Sequence, residues 1–221
     1  SKCLIHNRAM RDNSKLEIQN SKFMKFLVFT SPSFIPDEAF YIRRLFELGL
    51  DVLHLRKPGA SADECARLVE EVPELWRGRI VVHDHFRLCR DYGLMGVHLN
   101  SRNPAPPADF RPGTVSASCH SLAEVARRKT GLSYVTLSPV FDSISKQGYR
   151  AAYSEEDLER AAADGVIDSR VVALGGVSLG NIPRLRGWGF GGAAMLGDVW
   201  GRAGSAGFGG YVRRLRAALG S

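Results

Sequence analysis

Residues 80–100 read IVVHDHFRLCRDYGLMGVHLN. The apolar, β-branched start of Ile80–His85 is followed by an amphipathic stretch, Phe86–Tyr92, and then by a second apolar run, Gly96–Asn100. Strand, helix and strand in that order make a βαβ unit, and such units build parallel sheets. Both runs end in polar residues: His83, Asp84 and His85 in the first, His98 and Asn100 in the second.

The same rhythm extends in both directions. Upstream lie the runs Phe26–Thr30 and Val52–Arg56. Downstream lie Thr114–His120, Tyr134–Val140, Arg170–Gly176 and Gly192–Gly197. Helix-like segments alternate with them at Asp37–Leu48, Ala62–Trp76, Leu122–Lys129, Glu155–Ala163 and Leu179–Arg186, with a last one at Tyr211–Leu219. Ser61 and Ser154 are expected as N-caps and Gly49 as a helix stop. Eight strands and a closing helix predict an α/β fold: a small, single-domain TIM (β/α)8 barrel over residues 24–221, near the lower limit of roughly 200 residues for that fold. The third and fourth runs start 16 residues apart and the fourth and fifth 18, room for short helices only. An open doubly wound sheet is the alternative, but eight units favour closure.

Composition bounds the function. The chain has 221 residues, 44% hydrophobic and 24% charged, the profile of a globular domain rather than a disordered or fibrous chain. No run approaches the roughly 18 apolar residues of a membrane span, and no signal peptide is evident. Cys3, Cys65, Cys89 and Cys119 are scattered without a CxxC pair, so neither a disulfide scaffold nor a zinc site is expected, and a cytoplasmic location fits. Residues 1–23 are polar, contribute +3 of the net +7, and read as an extension, flexible or vector-derived, outside the domain. The remaining basic residues are spread out, which suits an anionic small substrate and not a nucleic acid.

Polar residues collect at the C-terminal ends of the runs, where active sites of parallel α/β folds assemble. Five of the six histidines lie there. His54 and Arg56 share one strand face, and so do Ser116, Ser118 and His120. His83 and His85 could pair on a metal, but no third ligand is evident in the sequence. Cys119 points to the opposite face from His120 and is expected to pack between barrel and helices. Gly175–Gly176 and Gly191–Gly192, with Leu196 and Gly197 beyond, read as a phosphate site, since the loops after strands seven and eight commonly bind phosphate in barrels. Ser138–Lys146 is a long, hydroxyl-rich connection ending in an ammonium, a composition suited to a diphosphate.

These residues, in this order, resemble the thiamine phosphate synthase/TenI superfamily of small TIM barrels. The resemblance runs from about Phe26 to Trp200. It rests on His54-Leu-Arg-Lys57, Val81-Val-His-Asp84, Gly96-Val-His-Leu99, Ser116-Ala-Ser-Cys-His-Ser121, Ser138–Lys146 and Ala173-Leu-Gly-Gly-Val177. A synthase of this superfamily joins a pyrimidine diphosphate to a thiazole phosphate with Mg2+. The resemblance then implies Arg56, Ser143, Ser145 and Lys146 at the diphosphate, Asp84 on the metal, and Gly176 and Gly197 at the thiazole phosphate. Synthases continue Gly-Val-His-Leu with Gly-Gln-x-Asp, whose aspartate is the second metal carboxylate. Here the stretch is Asn100-Ser101-Arg102-Asn103. The Gln and Asn positions of the family are His54 and His83, and lysine falls one place early, at Lys57.

The TenI branch keeps the barrel and the thiazole-phosphate site, and its known activity aromatises the thiazole by a proton shift. By resemblance His120 carries that role, with His54 and His83 as further catalytic candidates, Ser118 among the substrate contacts, and no cofactor. The expectation is therefore a thiazole tautomerase acting on a phosphorylated thiazole. The alternatives are a Mg2+-dependent synthase, which also takes a pyrimidine diphosphate, and a binding protein without catalysis. A metal-dependent barrel hydrolase is a more distant one. A homodimer is possible; nucleic acid and membrane partners are not expected.

Overall fold

The computed structural model describes residues 23–142 and 152–220. Eight parallel strands close into a barrel, each paired with its sequence neighbours and β8 with β1. The strands are β1 Lys25–Phe29, β2 Val52–Leu55, β3 Ile80–Val82, β4 Gly96–Leu99, β5 Thr114–Cys119, β6 Tyr134–Leu137, β7 Val171–Ala173 and β8 Gly192–Met195. Each ends one to three residues before its apolar run does, so Arg56, His83–His85, Asn100, His120 and Ser138 lie just beyond the strands, while His54, His98, Ser116 and Ser118 lie within them. The helices are α1 Glu38–Glu47, α2 Ala62–Glu71, α3 Glu74–Arg77, α4 Arg87–Asp91, α5 Leu122–Arg128, α6 Glu155–Ala163, α7 Ile182–Gly187, α8 Gly197–Trp200 and α9 Phe208–Leu219.

Local chemistry sets these boundaries. Ser61 and Ser154 open α2 and α6 with capping boxes closed by Glu64 and Asp157. The expected single helix over Ala62–Trp76 is two, because Pro73 cannot donate within a helix. Residues 100–113 contain no helix; with Pro104, Pro106, Pro107 and Pro112 in the stretch, the chain crosses from β4 to β5 as a loop. α9 starts three residues before its apolar pattern, at Phe208, across Gly209–Gly210.

The main apolar cluster fills the layer between strands and helices and includes Cys119, where the parity argument put it. The barrel interior follows from the register. Alternate residues point inward and stack in four levels. Val52, Gly96, Tyr134 and Gly192 form the bottom. Leu27, Val81, Ser116 and Val172 come next, then His54, His98, Thr136 and Ala194. Phe29, His83, Ser118 and Leu174 lie beneath the mouth. Two glycines stand in the bottom level; at Gly96 a Cβ would sit 2.1 Å from the Thr114 carbonyl oxygen, and at Gly192 3.1 Å from Leu27 Cδ1. At the rim, the Trp200 indole N–H donates to the Phe29 carbonyl at 2.6 Å. Among the described residues no helix is long and apolar enough to cross a membrane.

Candidate active site

A cavity of about 760 Å³ opens at the C-terminal ends of the strands. Its floor is the upper barrel interior, including Phe29, His83 and Ser118. Its wall carries four arginines, Arg56, Arg102, Arg127 and Arg128, against Glu124 and Asp198. Asp198 is already engaged by the Tyr211 hydroxyl and by Arg202, so the balance facing a ligand is cationic and suits an anion. Thr30, at the end of β1, fixes the Arg56 backbone twice: its hydroxyl donates to the Arg56 carbonyl at 3.0 Å and accepts the Arg56 N–H at 2.9 Å. Thr136 Oγ1 is buried without a hydrogen-bond partner among the described residues, and it lines the cavity. Such a hydroxyl costs about 1–3 kcal/mol, so a ligand's polar group gains by reaching it.

The glycine wall is built from β7 and β8. Gly175 and Gly176 have φ of 87° and 67°, a region closed to most side chains. A Cβ on Gly176 would lie 2.3 Å from the Asp142 carbonyl oxygen, so glycine there lets the β6 loop pack closely. Gly175, Gly176, Leu196 and Gly197 all line the cavity. Gly191 and Gly192 do not join them. They lie at the opposite end of the barrel, where Gly192 pairs with Lys25 and Val172. The backbone at Gly191 passes so near Ser169 that a Cβ would meet its carbonyl at 1.8 Å. Ser143, Ser145 and Lys146 lie outside the described residues.

His120 is exposed on the cavity wall. Its backbone N–H donates to Glu124 Oε2 at 2.6 Å, its carbonyl accepts the Tyr153 hydroxyl at 3.0 Å, and its Nδ1 meets the Ser138 carbonyl at 3.2 Å. A carbonyl only accepts, so Nδ1 carries the proton in the neutral ring and Nε2 is the basic atom.

Asp84, the candidate metal ligand, is held by other partners. Asn100 Oδ1 accepts the backbone N–H groups of Arg102 and Asn103 at 2.9 and 3.1 Å, folding the loop into a turn. That turn brings Arg102 Nη2 to 3.0 Å from Asp84 Oδ2 and Asn103 Nδ2 to 2.8 Å from Oδ1. A hard divalent cation needs several anionic or carbonyl oxygens. Asp84 supplies one carboxylate, already neutralised by a guanidinium, and Asn103 occupies the place of the family's second aspartate. This donor set does not fit Mg2+.

Lys57 points away from the cavity. Its ammonium is buried against both Glu38 carboxylate oxygens, each at 2.6 Å, and the Ser33 carbonyl at 2.9 Å. It ties the β2 end to the chain leading into α1.

His54 does not reach the cavity. It is wholly buried one level down, with Phe29 stacked on it at 4.3 Å, and so stands behind the cavity floor. His83 does line the cavity, and its Nε2 lies 2.9 Å from His54 Nδ1. The Tyr134 hydroxyl meets His54 Nε2 at 2.6 Å. His98, also buried, meets Ser116 Oγ through Nδ1 at 2.8 Å and Ser118 Oγ through Nε2 at 2.9 Å. Burial, ahead of repulsion from His98, holds His54 and His83 well below the usual histidine range. Burial, with Arg128 and Arg56 nearby, pushes His98 down to about 3.

The three rings bring ligand atoms within 4.8 Å of one another. However, both nitrogens of His54 and of His98 are already hydrogen-bonded, and the His83 and His98 rings stack at 4.3 Å instead of converging on a point. They form a hydrogen-bonded core, not a metal site. His85 leaves the group altogether: at φ 53° its Nε2 turns to the Ala60 carbonyl at 2.7 Å. Sequence reasoning missed Tyr134, Thr136, Arg102, Arg127 and Arg128. The one available signal was parity, since Tyr134 and Thr136 alternate on a strand next to Ser116 and Ser118.

The family model for thiamine monophosphate synthase matches residues 27–199 of the chain. The chain belongs to the thiamine monophosphate synthase family. Membership places it in thiamine biosynthesis. A thiamine-phosphate synthase of Photorhabdus laumondii is 27% identical over 176 residues, covering 75% of this chain and 80% of that protein. The crystal structure of a thiamine phosphate pyrophosphorylase from Bacteroides thetaiotaomicron is 40% identical, covers 88% of this chain and 97% of its own, and superposes with a TM-score of 0.80. A thiamine phosphate pyrophosphorylase from Pyrococcus furiosus, 23% identical with a TM-score of 0.71 over 89% of this chain and 95% of its own, shares the fold.

Proposed function

We propose that this member of the thiamine monophosphate synthase family is a thiazole tautomerase that binds a phosphorylated thiazole and aromatises its ring by a metal-independent proton shift. One observation carries the reading. The carboxylate a metal would need is clamped by Arg102 and Asn103, while His120 stands at the cavity wall with its tautomer set by the Ser138 carbonyl. The phosphate rests against Gly175, Gly176, Leu196 and Gly197, whose backbone approaches it closely, with Arg56 and Ser118 contacting the ligand from the other strands. His120 Nε2 takes a proton from the ring carbon that loses it. The imidazolium, braced by the Ser138 carbonyl, returns a proton to the position that gains it.

Expected for His120→Asn is a fall in turnover of about 10²–10⁴ with thiazole-phosphate affinity retained. Turnover within threefold of wild type would exclude His120 as the acid/base.

The second reading is a synthase. It is supported by the names of the relatives, by Arg56 in the cavity, and by the composition of Ser143, Ser145 and Lys146. Purified protein incubated with the pyrimidine diphosphate, aromatic thiazole phosphate and Mg2+ decides between them. Mg2+-dependent thiamine phosphate makes it a synthase. No product, with thiazole phosphate still bound, leaves the tautomerase, or a binding protein if ring aromatisation is also absent.

A further inference from the structure

The third level of the barrel interior is divided. His54 and His98, from β2 and β4, fill one side with rings and do not line the cavity. Thr136 and Ala194, from β6 and β8, are small and do line it. The cavity therefore reaches down to this level only on the β6–β8 side, below the glycine wall. Leu174 and Ala194 give that recess apolar surface, which suits the faces of a small ring.

Thr136 is the polar side chain of the recess. It is wholly buried, and its Oγ1 has no hydrogen-bond partner among the described residues. The polar groups around it in the interior are engaged: His54 by Tyr134 and His83, His98 by Ser116 and Ser118, and Ser116 also by the Val97 carbonyl. A valine would fill nearly the same volume without an idle hydroxyl, so threonine at this position costs the free protein stability. A partner entering through the cavity recovers that cost.

We propose that Thr136 is a specificity-determining residue whose hydroxyl donates a hydrogen bond to the ring nitrogen of the phosphorylated heterocycle. The assignment rests on the thiazole reading above and follows from the ligand's own chemistry. The glycine wall takes the phosphate. What remains on a thiazole is sulfur, a weak acceptor, and a ring nitrogen whose lone pair lies in the ring plane, a good one. The ring has no strong donor, so the hydroxyl donates. Gly197 follows Ala194 by three residues, at most about 11 Å of chain. A five-membered ring joined to a phosphate ester is long enough to touch both ends. Thr136 moves no proton; the proton shift stays with His120 on the cavity wall. What Thr136 fixes is which way round the ring lies, and it disfavours rings without an acceptor at that place.

Two probes test this by calorimetry on the full-length protein: the aromatic thiazole phosphate, and its thiophene counterpart in which C–H replaces the ring nitrogen. The wild type is expected to bind the thiazole at least fivefold more tightly. Thr136→Val is expected to bring that preference below twofold, with thiophene affinity within twofold of wild type, and Thr136→Ser is expected to keep the preference. In urea without ligand, Thr136→Val is expected to unfold at a higher midpoint than the wild type.

A preference that survives in Thr136→Val overturns the assignment. So does a lower midpoint, or a valine variant that fails to fold, since either means that the hydroxyl already has a partner in the free protein. Wild type binding both probes alike overturns the nitrogen contact and leaves the phosphate ligand in place. Wild type binding neither sinks the thiazole reading, and the contact with it. A preference lost in Thr136→Val, in a protein that does not aromatise the ring, sinks the tautomerase and upholds the contact.

Discussion

Arg102 decides the chemistry of the rim. It reaches 18 positions back to Asp84 because Asn100 folds the intervening turn. The sequence discloses the missing aspartate at Asn103, but not that a guanidinium covers the one that remains, since that contact depends on side-chain reach across two loops. The consequence is measurable. Combining Arg102→Gln with Asn103→Asp frees one carboxylate and adds a second. By calorimetry the double variant is expected to bind Mg2+ at least tenfold more tightly than the wild type. Equal affinities would show that the Arg102–Asp84 pair is not what excludes the cation.

Elements carry the next lesson. α1 has no side-chain cap at Asp37, yet its first residue, Glu38, is buried against Lys57 from the end of β2. Burial raises the Glu38 carboxyl and lowers the Lys57 ammonium, and their mutual attraction opposes both shifts. Lys57→Met leaves a buried, unpaired carboxylate and is expected to cost about 3–5 kcal/mol in urea unfolding. Adding Glu38→Leu is expected to recover more than half of that loss; full additivity of the two losses would mean the pair is not coupled. In the sequence Lys57 reads only as the family's lysine placed one position early, because one-letter spacing does not reveal which way a residue just past a strand turns. The eight strands, by contrast, are legible from their apolar runs, and the caps of α2 and α6 from Ser61 and Ser154. The break at Pro73 and the helix-free β4–β5 crossing also have visible causes in their prolines.

At the scale of the whole molecule, the unusual property is a polar core inside the barrel. Its members could be seen singly at strand ends, but which of them share a level is set by inter-strand register, and no single strand records that. Tyr134 opens an apolar run and reads as ordinary core. Only the register places its hydroxyl between Ser116 and His54. This core makes stability depend on pH. The folded state holds His54, His83 and His98 neutral, whereas the unfolded chain protonates them near pH 6.5. The unfolded state therefore binds more protons below that value, and stability falls as pH drops from about 6.5 toward the folded values, about 3 for His98. The loss is about 1.4 kcal/mol per histidine for each pH unit in that window. Urea midpoints between pH about 7 and about 4.5 measure it, and a flat profile would mean that the rings are charged in the folded barrel.

Trp200 gives the molecule a built-in optical gauge. Its indole is anchored to the backbone oxygen of Phe29, the residue whose ring forms part of the cavity floor. Of the three tryptophans, Trp76 stacks on Phe46 and Trp188 lies against Phe141, so replacing those two by phenylalanine isolates the signal. A ligand that presses on Phe29 then alters the emission of Trp200, and occupancy can be followed by light alone, with neither a coupled assay nor a labelled substrate.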